Sequence, residues 1–232
     1  MLKAILFDLD HTLYDRYATM EKTLPETMEV LFPYICDGVP YKKFRDEMIF
    51  ADKAFNYAGW GDRTEYLIEK GIFLPGTDAR VVRLKTYETM QSIAVQYPQT
   101  RKTLKNLRER GYKLAIVTNG EDYIQKSKIE ACGFADLFDL VYICSVMGTI
   151  QKPEREPFLR AAALLGAEAS ECVFVGDHPK NDILGAKNAG MRTVWVSTCG
   201  AWRYEEYERA DFEIGNVCNL SDILPQIEKI MK

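Results

Sequence analysis

The stretch KAILFDLDHT, residues 3–12, contains a short apolar run that ends at two aspartates, Asp8 and Asp10. Side chains at positions i and i+2 of an extended chain lie on the same face, so the two carboxylates are neighbours at the end of the predicted strand. Like charges at this spacing repel each other, and a compensating positive group is expected nearby. The stretch therefore predicts a buried strand that leads directly into a charged site.

Further short runs share this apolar character along most of their length. Such runs are typical of strands that are buried on both faces, as in a parallel sheet. The predicted strands cover residues 3–8, 113–120, 140–145, 172–177 and 192–197, with a short final strand near Phe212. Helical patterns separate them, and glycines supply the helix stops. This alternation predicts an α/β fold with a doubly wound parallel sheet and right-handed crossovers.

The segment from Arg16 to Gln96 departs from the alternation because it contains no comparable strand pattern. Its helical stretches cover residues 18–32, 40–57, 62–70 and 78–95. We therefore expect a separate small α-helical domain over residues 16–96. It is inserted into a core domain that is formed by residues 1–15 and 97–232.

Composition excludes several classes of protein. The chain has 232 residues and a net charge of −4, with 30 basic and 34 acidic residues interspersed, which argues against a nucleic-acid surface. It has no apolar stretch of about 20 residues that could span a membrane, and no N-terminal signal pattern. Its six cysteines include no C-x-x-C pair, which favours a reducing compartment. We expect a cytoplasmic protein, with monomer and homodimer both open.

Polar residues collect where the predicted strands end. In open α/β sheets, ligands bind beyond the carboxyl ends of the strands. The candidate residues at these ends are Asp8, Asp10, Thr118, Asn119, Lys152, Asp177 and Asp182. Oxygen ligands at this density suit Mg²⁺. A magnesium ion together with Lys152 would offset most of the charge of the four aspartates.

The order of these motifs resembles that of the haloacid dehalogenase superfamily. The motifs are D-x-D-x-T after the first strand, T-N after a second strand, a lone lysine, and G-D-x-x-x-x-D. The resemblance covers the whole α/β portion, and the helical insertion is similar to the small cap domain of one subgroup. Because most members hydrolyse phosphate esters, the resemblance implies a Mg²⁺-dependent phosphatase.

The resemblance also implies a role for each motif residue. Asp8 is the nucleophile that forms an aspartyl-phosphate, and Asp10 protonates the leaving alkoxide and then activates water. Phosphoryl oxygens are bound by Thr118 and Lys152, with backbone N–H groups near Leu9 and Asn119. The metal ligands are the carboxylates of Asp8 and Asp177 and the backbone carbonyl of Asp10, with Asp182 in or just behind that shell.

Three other functions are compatible with this fold. Members that act as 2-haloacid dehalogenases typically lack the second aspartate of the first motif, whereas this chain has Asp10. Sugar phosphomutases of the family carry a histidine and a lysine soon after that motif, and residues 14–19 contain no histidine. A non-catalytic binding or regulatory module would be expected to have lost a motif residue, and all of them are present.

The substrate is the least determined feature. The stretch AFNYAGWGDR, residues 54–63, offers aromatic side chains that could stack on a base or sugar and an arginine that could contact an anion. These candidate substrate-selecting residues are Phe55, Tyr57, Trp60 and Arg63, although packing between cap helices is the alternative for the first two. The sequence around the motifs (DHTLYD, VTNG and GDHPKNDILGAKNAGM) resembles that of nucleoside-monophosphate phosphatases of the pyrimidine type. A nucleoside 5′-monophosphate is thus the first candidate, with sugar phosphates and phosphoglycolate open.

Overall fold

The computed structural model describes residues 1–55, 59–91, 93–144, 150–202 and 204–231. The chain forms two compact units, one made of Met1–Asp15 with Val95–Lys232 and the other of Arg16–Ala94. We call them the sheet unit and the helical unit. Tyr57, a candidate substrate-selecting residue, lies outside the described residues.

The sheet unit is built on six parallel strands in the order β3-β2-β1-β4-β5-β6. They are β1 Ala4–Phe7, β2 Lys113–Asn119, β3 Leu140–Cys144, β4 Cys172–Gly176, β5 Arg192–Val196 and β6 Phe212–Ile214. The chain adds strands on one side of β1 and then on the other, so the order reverses between β1 and β4. This confirms the predicted α/β fold and places a ligand-binding switch point at that pair of strands.

The helices complete both units. The helical unit contains α1 Arg16–Leu31, α2 Tyr41–Ala54, α3 Trp60–Glu69 and α4 Ala79–Met90. The sheet unit contains α5 Thr100–Glu109, α6 Asp122–Cys132, α7 Arg155–Leu164, α8 Gly185–Asn188 and α9 Leu220–Ile230. Within the described residues, none of the helices combines the length and the apolar character that crossing a membrane requires.

The helical unit has its own hydrophobic core. Phe44 of α2 and Phe73, which follows α3, meet edge to face with their ring centroids 6.3 Å apart. The hydroxyl groups of Thr27 and Thr89 join α1 to α4 at 2.7 Å. Both residues are buried, and the hydrogen bond satisfies groups that would be costly to bury alone.

In the sheet unit, one face of the sheet is covered by α7 and α8. Phe158 of α7 packs edge to face on Phe174 of β4, with ring centroids 4.9 Å apart. Gly185 lies so close to this pair that a Cβ atom there would stand 2.7 Å from Cε2 of Phe158 and 2.8 Å from the carbonyl oxygen of Pro153. The close approach therefore requires glycine.

The substitution Gly185→Ala should destabilise the protein by about 1–3 kcal/mol, because a backbone carbonyl and an aromatic ring must both move. Gly61→Ala is the matched control: Gly61 lies in α3, and among the described residues no atom outside its own helix backbone and chain neighbours lies within 4 Å of its added Cβ. We expect the control to be neutral or stabilising by up to about 1 kcal/mol. Urea unfolding followed by circular dichroism measures both, and equal midpoints for the two variants would contradict the packing described here.

Candidate active site

Three carboxylates meet at the edge of the sheet where β1 and β4 end. The backbone N–H of Asp8 donates to the carbonyl of Val175 at 2.9 Å, which places Asp8 directly beside the end of β4. Asp177 is the first residue after β4. One carboxylate oxygen from each of Asp8, Asp177 and Asp182 lies within 4.8 Å of the others, and all three residues are buried. We call these residues the acidic trio.

A short π-helix, Pro179–Leu184, delivers Asp182 to the trio. The backbone N–H of His178 donates to Oδ2 of Asp182 at 2.9 Å. Burial lowers the pKa of His178 to about 4, against the opposing effect of Asp182, so its imidazole is neutral at physiological pH. Its Nδ1 accepts the backbone N–H groups of Lys180 and Asn181, each at 3.2 Å, and so caps the start of the π-helix.

Asp177 is oriented by two contacts from the segment around β5. The indole N–H of Trp195 donates to the carbonyl oxygen of Asp177 at 2.7 Å. The thiol of Cys199 donates to its Oδ2 at 3.4 Å. Gly176, just before it, must be glycine because a Cβ atom there would stand 2.5 Å from Oδ2 of Asp182.

Lys152 is the positive group that contacts Asp8, the first of the two aspartates after β1. Its Nζ donates to Oδ1 of Asp8 at 2.6 Å and to Oδ1 of Asp182 at 2.7 Å. Burial alone would lower the pKa of Lys152, but the adjacent carboxylates of Asp182 and Asp8 outweigh burial and raise it. Lys152 therefore remains a buried ammonium group that contacts two members of the trio.

Asn119 fixes the backbone of Lys152. Its Nδ2 donates to the carbonyl oxygen of Lys152 at 2.8 Å, and its Oδ1 accepts the Lys152 N–H at 2.9 Å. The side-chain amide of Asn119 thus has a positioning role that sequence reasoning missed. Its predicted contribution to phosphate binding, through the backbone, stays a prediction.

Burial and mutual repulsion oppose ionisation of two members of the trio. Burial raises the pKa of Asp8 to about 7, with Lys152 opposing and Asp182 and Asp10 reinforcing the rise. Burial also raises the pKa of Asp177 well above its ordinary value, and Asp182 and Asp8 add to this. A nearby divalent cation would favour the ionised forms, and buried carboxylate oxygens at this spacing are a donor set that fits such a hard cation.

Asp10 lies at the same edge but has different partners. Its Oδ1 accepts the hydroxyl of Tyr14 at 2.7 Å, and Nζ of Lys128 donates to its two oxygens at 2.9 and 3.0 Å. Nε2 of Gln125 lies 3.2 Å from Oδ2 of Asp10 and donates to Oγ1 of Thr118 at 2.6 Å. Asp10 and the predicted phosphate ligand Thr118 are thereby connected through one glutamine of α6.

Gln125 and Lys128 were not singled out by sequence reasoning, although the sequence contains a signal. Both fall within the stripe of α6 that also carries the buried Ile124, Ile129 and Cys132. Two polar residues in the middle of an apolar helical stripe indicate a buried polar partner opposite that helix face. The identity of the partner, Asp10, follows only from the fold.

The candidate substrate-selecting residues that can be described lie within the packing of the helical unit. Phe55 packs on Tyr66, and Trp60 packs edge to face on Tyr87 with ring centroids 5.6 Å apart. The guanidinium of Arg63 is buried and donates to Asp52 at 2.7 Å and to the carbonyl oxygen of Phe55. Asp52 also accepts two bonds from the buried Arg16. The role of Phe55, Trp60 and Arg63 in substrate selection stays a prediction.

Comparison with known proteins agrees with this geometry. The family model described as haloacid dehalogenase-like hydrolase matches residues 2–190. A glyceraldehyde 3-phosphate phosphatase of Methanocaldococcus jannaschii is 31% identical over 237 residues, which cover 99% of this chain and 100% of that protein. An N-acylneuraminate-9-phosphatase of Rattus norvegicus is 28% identical, over 98% of this chain and 95% of that protein.

Among solved structures, a HAD-hydrolase of Bacillus subtilis bound to magnesium superimposes with a TM-score of 0.75. It is 22% identical, and the match covers 96% of this chain and 98% of that one, so this likeness shows the shared fold. The sequence matches and the site at the ends of β1 and β4 together identify the family. The chain belongs to the haloacid dehalogenase-like hydrolase family, among its phosphatases.

Proposed function

We propose that this phosphatase hydrolyses small phosphate monoesters through an aspartyl-phosphate on Asp8, with Mg²⁺ as its cofactor. The observation that carries the proposal is the buried acidic trio bonded to Lys152, with Asp10 beside it. Burying several carboxylates together lowers the stability of a fold, and groups with perturbed pKa values concentrate at functional sites. The cluster therefore favours a catalytic role.

The reaction proceeds in two steps. The Asp8 carboxylate attacks phosphorus, the bond from phosphorus to the ester oxygen breaks, and Asp10 gives its proton to the departing oxygen. Asp10 then takes a proton from a water molecule that attacks the aspartyl-phosphate, which releases inorganic phosphate and restores both carboxyl groups. Lys152 and Thr118 donate to the phosphoryl oxygens and so stabilise the charge that these oxygens carry.

The proposed Mg²⁺ site uses Asp8, Asp177 and Asp182, with the backbone carbonyl of Asp10. When bound, the ion neutralises and orients the phosphoryl group. Support comes from the three buried carboxylate oxygens within 4.8 Å of one another and from the related fold of Bacillus subtilis that is bound to magnesium.

For the substrate we propose a phosphorylated triose or sugar. The two relatives that match along nearly the whole chain are named for glyceraldehyde 3-phosphate and for an N-acylneuraminate 9-phosphate. Neither is named a nucleotidase. The alternative substrate, a nucleoside 5′-monophosphate, therefore rests only on sequence similarity around the shared motifs.

The variant Asp8→Asn should reduce hydrolysis of p-nitrophenyl phosphate in Mg²⁺ to background, because an amide cannot form the aspartyl-phosphate. Asp136→Asn is the matched control, since Asp136 is exposed and bonds Arg101 on the surface. Phosphate release with and without Mg²⁺ measures both. Metal-dependent turnover that survives in Asp8→Asn would exclude Asp8 as the nucleophile.

A panel of phosphate esters tests the substrate class. It should contain glyceraldehyde 3-phosphate, hexose phosphates, phosphoglycolate, and purine and pyrimidine nucleoside 5′-monophosphates. We expect the highest kcat/KM among the triose and sugar phosphates. A kcat/KM for a nucleotide at least ten times that of every sugar phosphate would reverse the assignment and restore the nucleotide.

Stability should depend on pH and Mg²⁺ together. Because the pKa of Asp8 rises from 3.8 unfolded to about 7 folded, folding takes up a proton between these values and stability falls as pH rises through that window. In chelator, Tm should therefore be lower at pH 8 than at pH 5.5. Mg²⁺ should raise Tm more at pH 8, where the carboxylate of Asp8 is ionised and available to the ion.

Scanning fluorimetry at both pH values, with chelator or Mg²⁺, measures this effect. Asp8→Asn should show a smaller loss of Tm between pH 5.5 and pH 8, whereas Asp136→Asn should behave like the unmodified protein. Equal stabilisation by Mg²⁺ at the two pH values would contradict the proposed ligands.

A further inference from the structure

We propose that Lys128 and Gln125 of α6 are positioning residues that orient the carboxyl group of Asp10 toward the leaving-group oxygen. The inference rests on the proposed function, in which Asp10 transfers the proton to that oxygen. It assigns part of the catalytic apparatus to a helix face outside the motifs that carry the family resemblance.

The first support is geometric. Nζ of Lys128 contacts both oxygens of Asp10, at 2.9 and 3.0 Å, while Gln125 lies 3.2 Å from Oδ2 and the Tyr14 hydroxyl lies 2.7 Å from Oδ1. Donors on both oxygens fix the rotation of the carboxyl group as well as its place. Residues three apart on a helix project from the same face, so α6 can supply both donors together.

The second support is burial. Lys128 and Gln125 are 4% and 2% exposed. Lysine is almost never buried unless it is paired, because removing its charge from water is costly. Its neighbour Lys126, on the same helix, bonds Asp122 at the surface instead. Burying Lys128 therefore costs desolvation free energy that a solvent-exposed lysine avoids.

The third support is the space made for Gln125. Its Nε2 also donates to Oγ1 of Thr118 at 2.6 Å and lies 3.1 Å from the carbonyl oxygen of Asn119. Gly120 has φ +142°, and a Cβ atom there would stand 2.9 Å from the Gln125 side chain. The turn after β2 thus leaves room for a side chain that connects Asp10 to the predicted phosphate ligand Thr118.

The leaving group distinguishes positioning from a structural role. An alkoxide needs a proton as it departs, whereas nitrophenolate departs readily without one. General acid catalysis typically contributes 10²–10⁴-fold. A misdirected Asp10 should therefore lower kcat/KM, which reports the step that forms the aspartyl-phosphate, on an alkyl phosphate and change kcat/KM on p-nitrophenyl phosphate little. Damage to phosphate binding or to folding lowers both.

The experiment compares Lys128→Met, Gln125→Met and the control Lys126→Met on p-nitrophenyl phosphate and on the best alkyl ester of the panel. We expect Lys128→Met to lose on the order of 10²-fold in kcat/KM on the alkyl ester and less than 10-fold in kcat/KM on the aryl ester. Hydrolysis of the aspartyl-phosphate, which also uses Asp10, is common to both esters and does not enter kcat/KM. Gln125→Met should show the same pattern more weakly, and Lys126→Met should match the unmodified enzyme. Lys128→Arg should recover part of the loss because it restores a charged donor.

Asp10→Asn provides the reference. It should show the same dependence on leaving group, and adding Lys128→Met to it should cause no further loss, because both changes remove one function. Gln125→Met leaves the Lys128–Asp10 ion pair intact, so it carries the test if Lys128→Met does not fold.

Two outcomes would overturn the positioning role while the phosphatase proposal stands. One is an equal loss of kcat/KM on both esters, or no loss on either, for the variants of α6. The other is an Asp10→Asn variant that loses the same factor of kcat/KM on both esters, while Asp8→Asn is inactive on both. An unmodified enzyme inactive on both esters in Mg²⁺ would instead overturn the proposed function, and the positioning role with it.

Discussion

The rest of the site depends on one interaction, the buried ion pair of the Lys152 ammonium group with Asp8 and Asp182. Charges inside a protein are tolerated when partners and hydrogen bonds replace the lost water, and removing one partner leaves the others uncompensated. The surrounding structure supplies these partners from separate elements. Asp8 directly follows β1, the π-helix contributes Asp182, and Asn119 at the end of β2 fixes the backbone from which Lys152 extends.

The site divides the reaction between two sets of supports. Asp8, the proposed nucleophile, belongs to the trio, which is fixed by strand ends, by Lys152 and by the capped π-helix. Asp10, the proposed proton donor, is contacted by Tyr14 and by α6. Two carboxylates only two residues apart thus have different surroundings, which lets one chain segment supply two chemical roles.

The fold and the motif residues were predictable because both are local in the sequence. The apolar runs predicted each of β1 to β5 within one residue at either end, and the final strand near Phe212 is present. Lys128, Gln125 and the side-chain role of Asn119 were not predicted, because a polar residue on a helix or strand end does not indicate which distant group it meets. Arg63 shows the same limit, since its partner Asp52 lies on another helix.

Because Gln125 and Lys128 must share one face of α6, the length of this helix is more constrained than its amino-acid sequence. One added residue within the first turn of this helix would rotate everything after it by about 100°. Both donors would then turn away from Asp10, and the buried Ile124, Ile129 and Cys132 would leave the core with them. Substitutions at the exposed positions of α6 carry no such penalty. Over evolutionary time, this helix should therefore accept replacements freely at its surface and resist insertions and deletions throughout its first two turns.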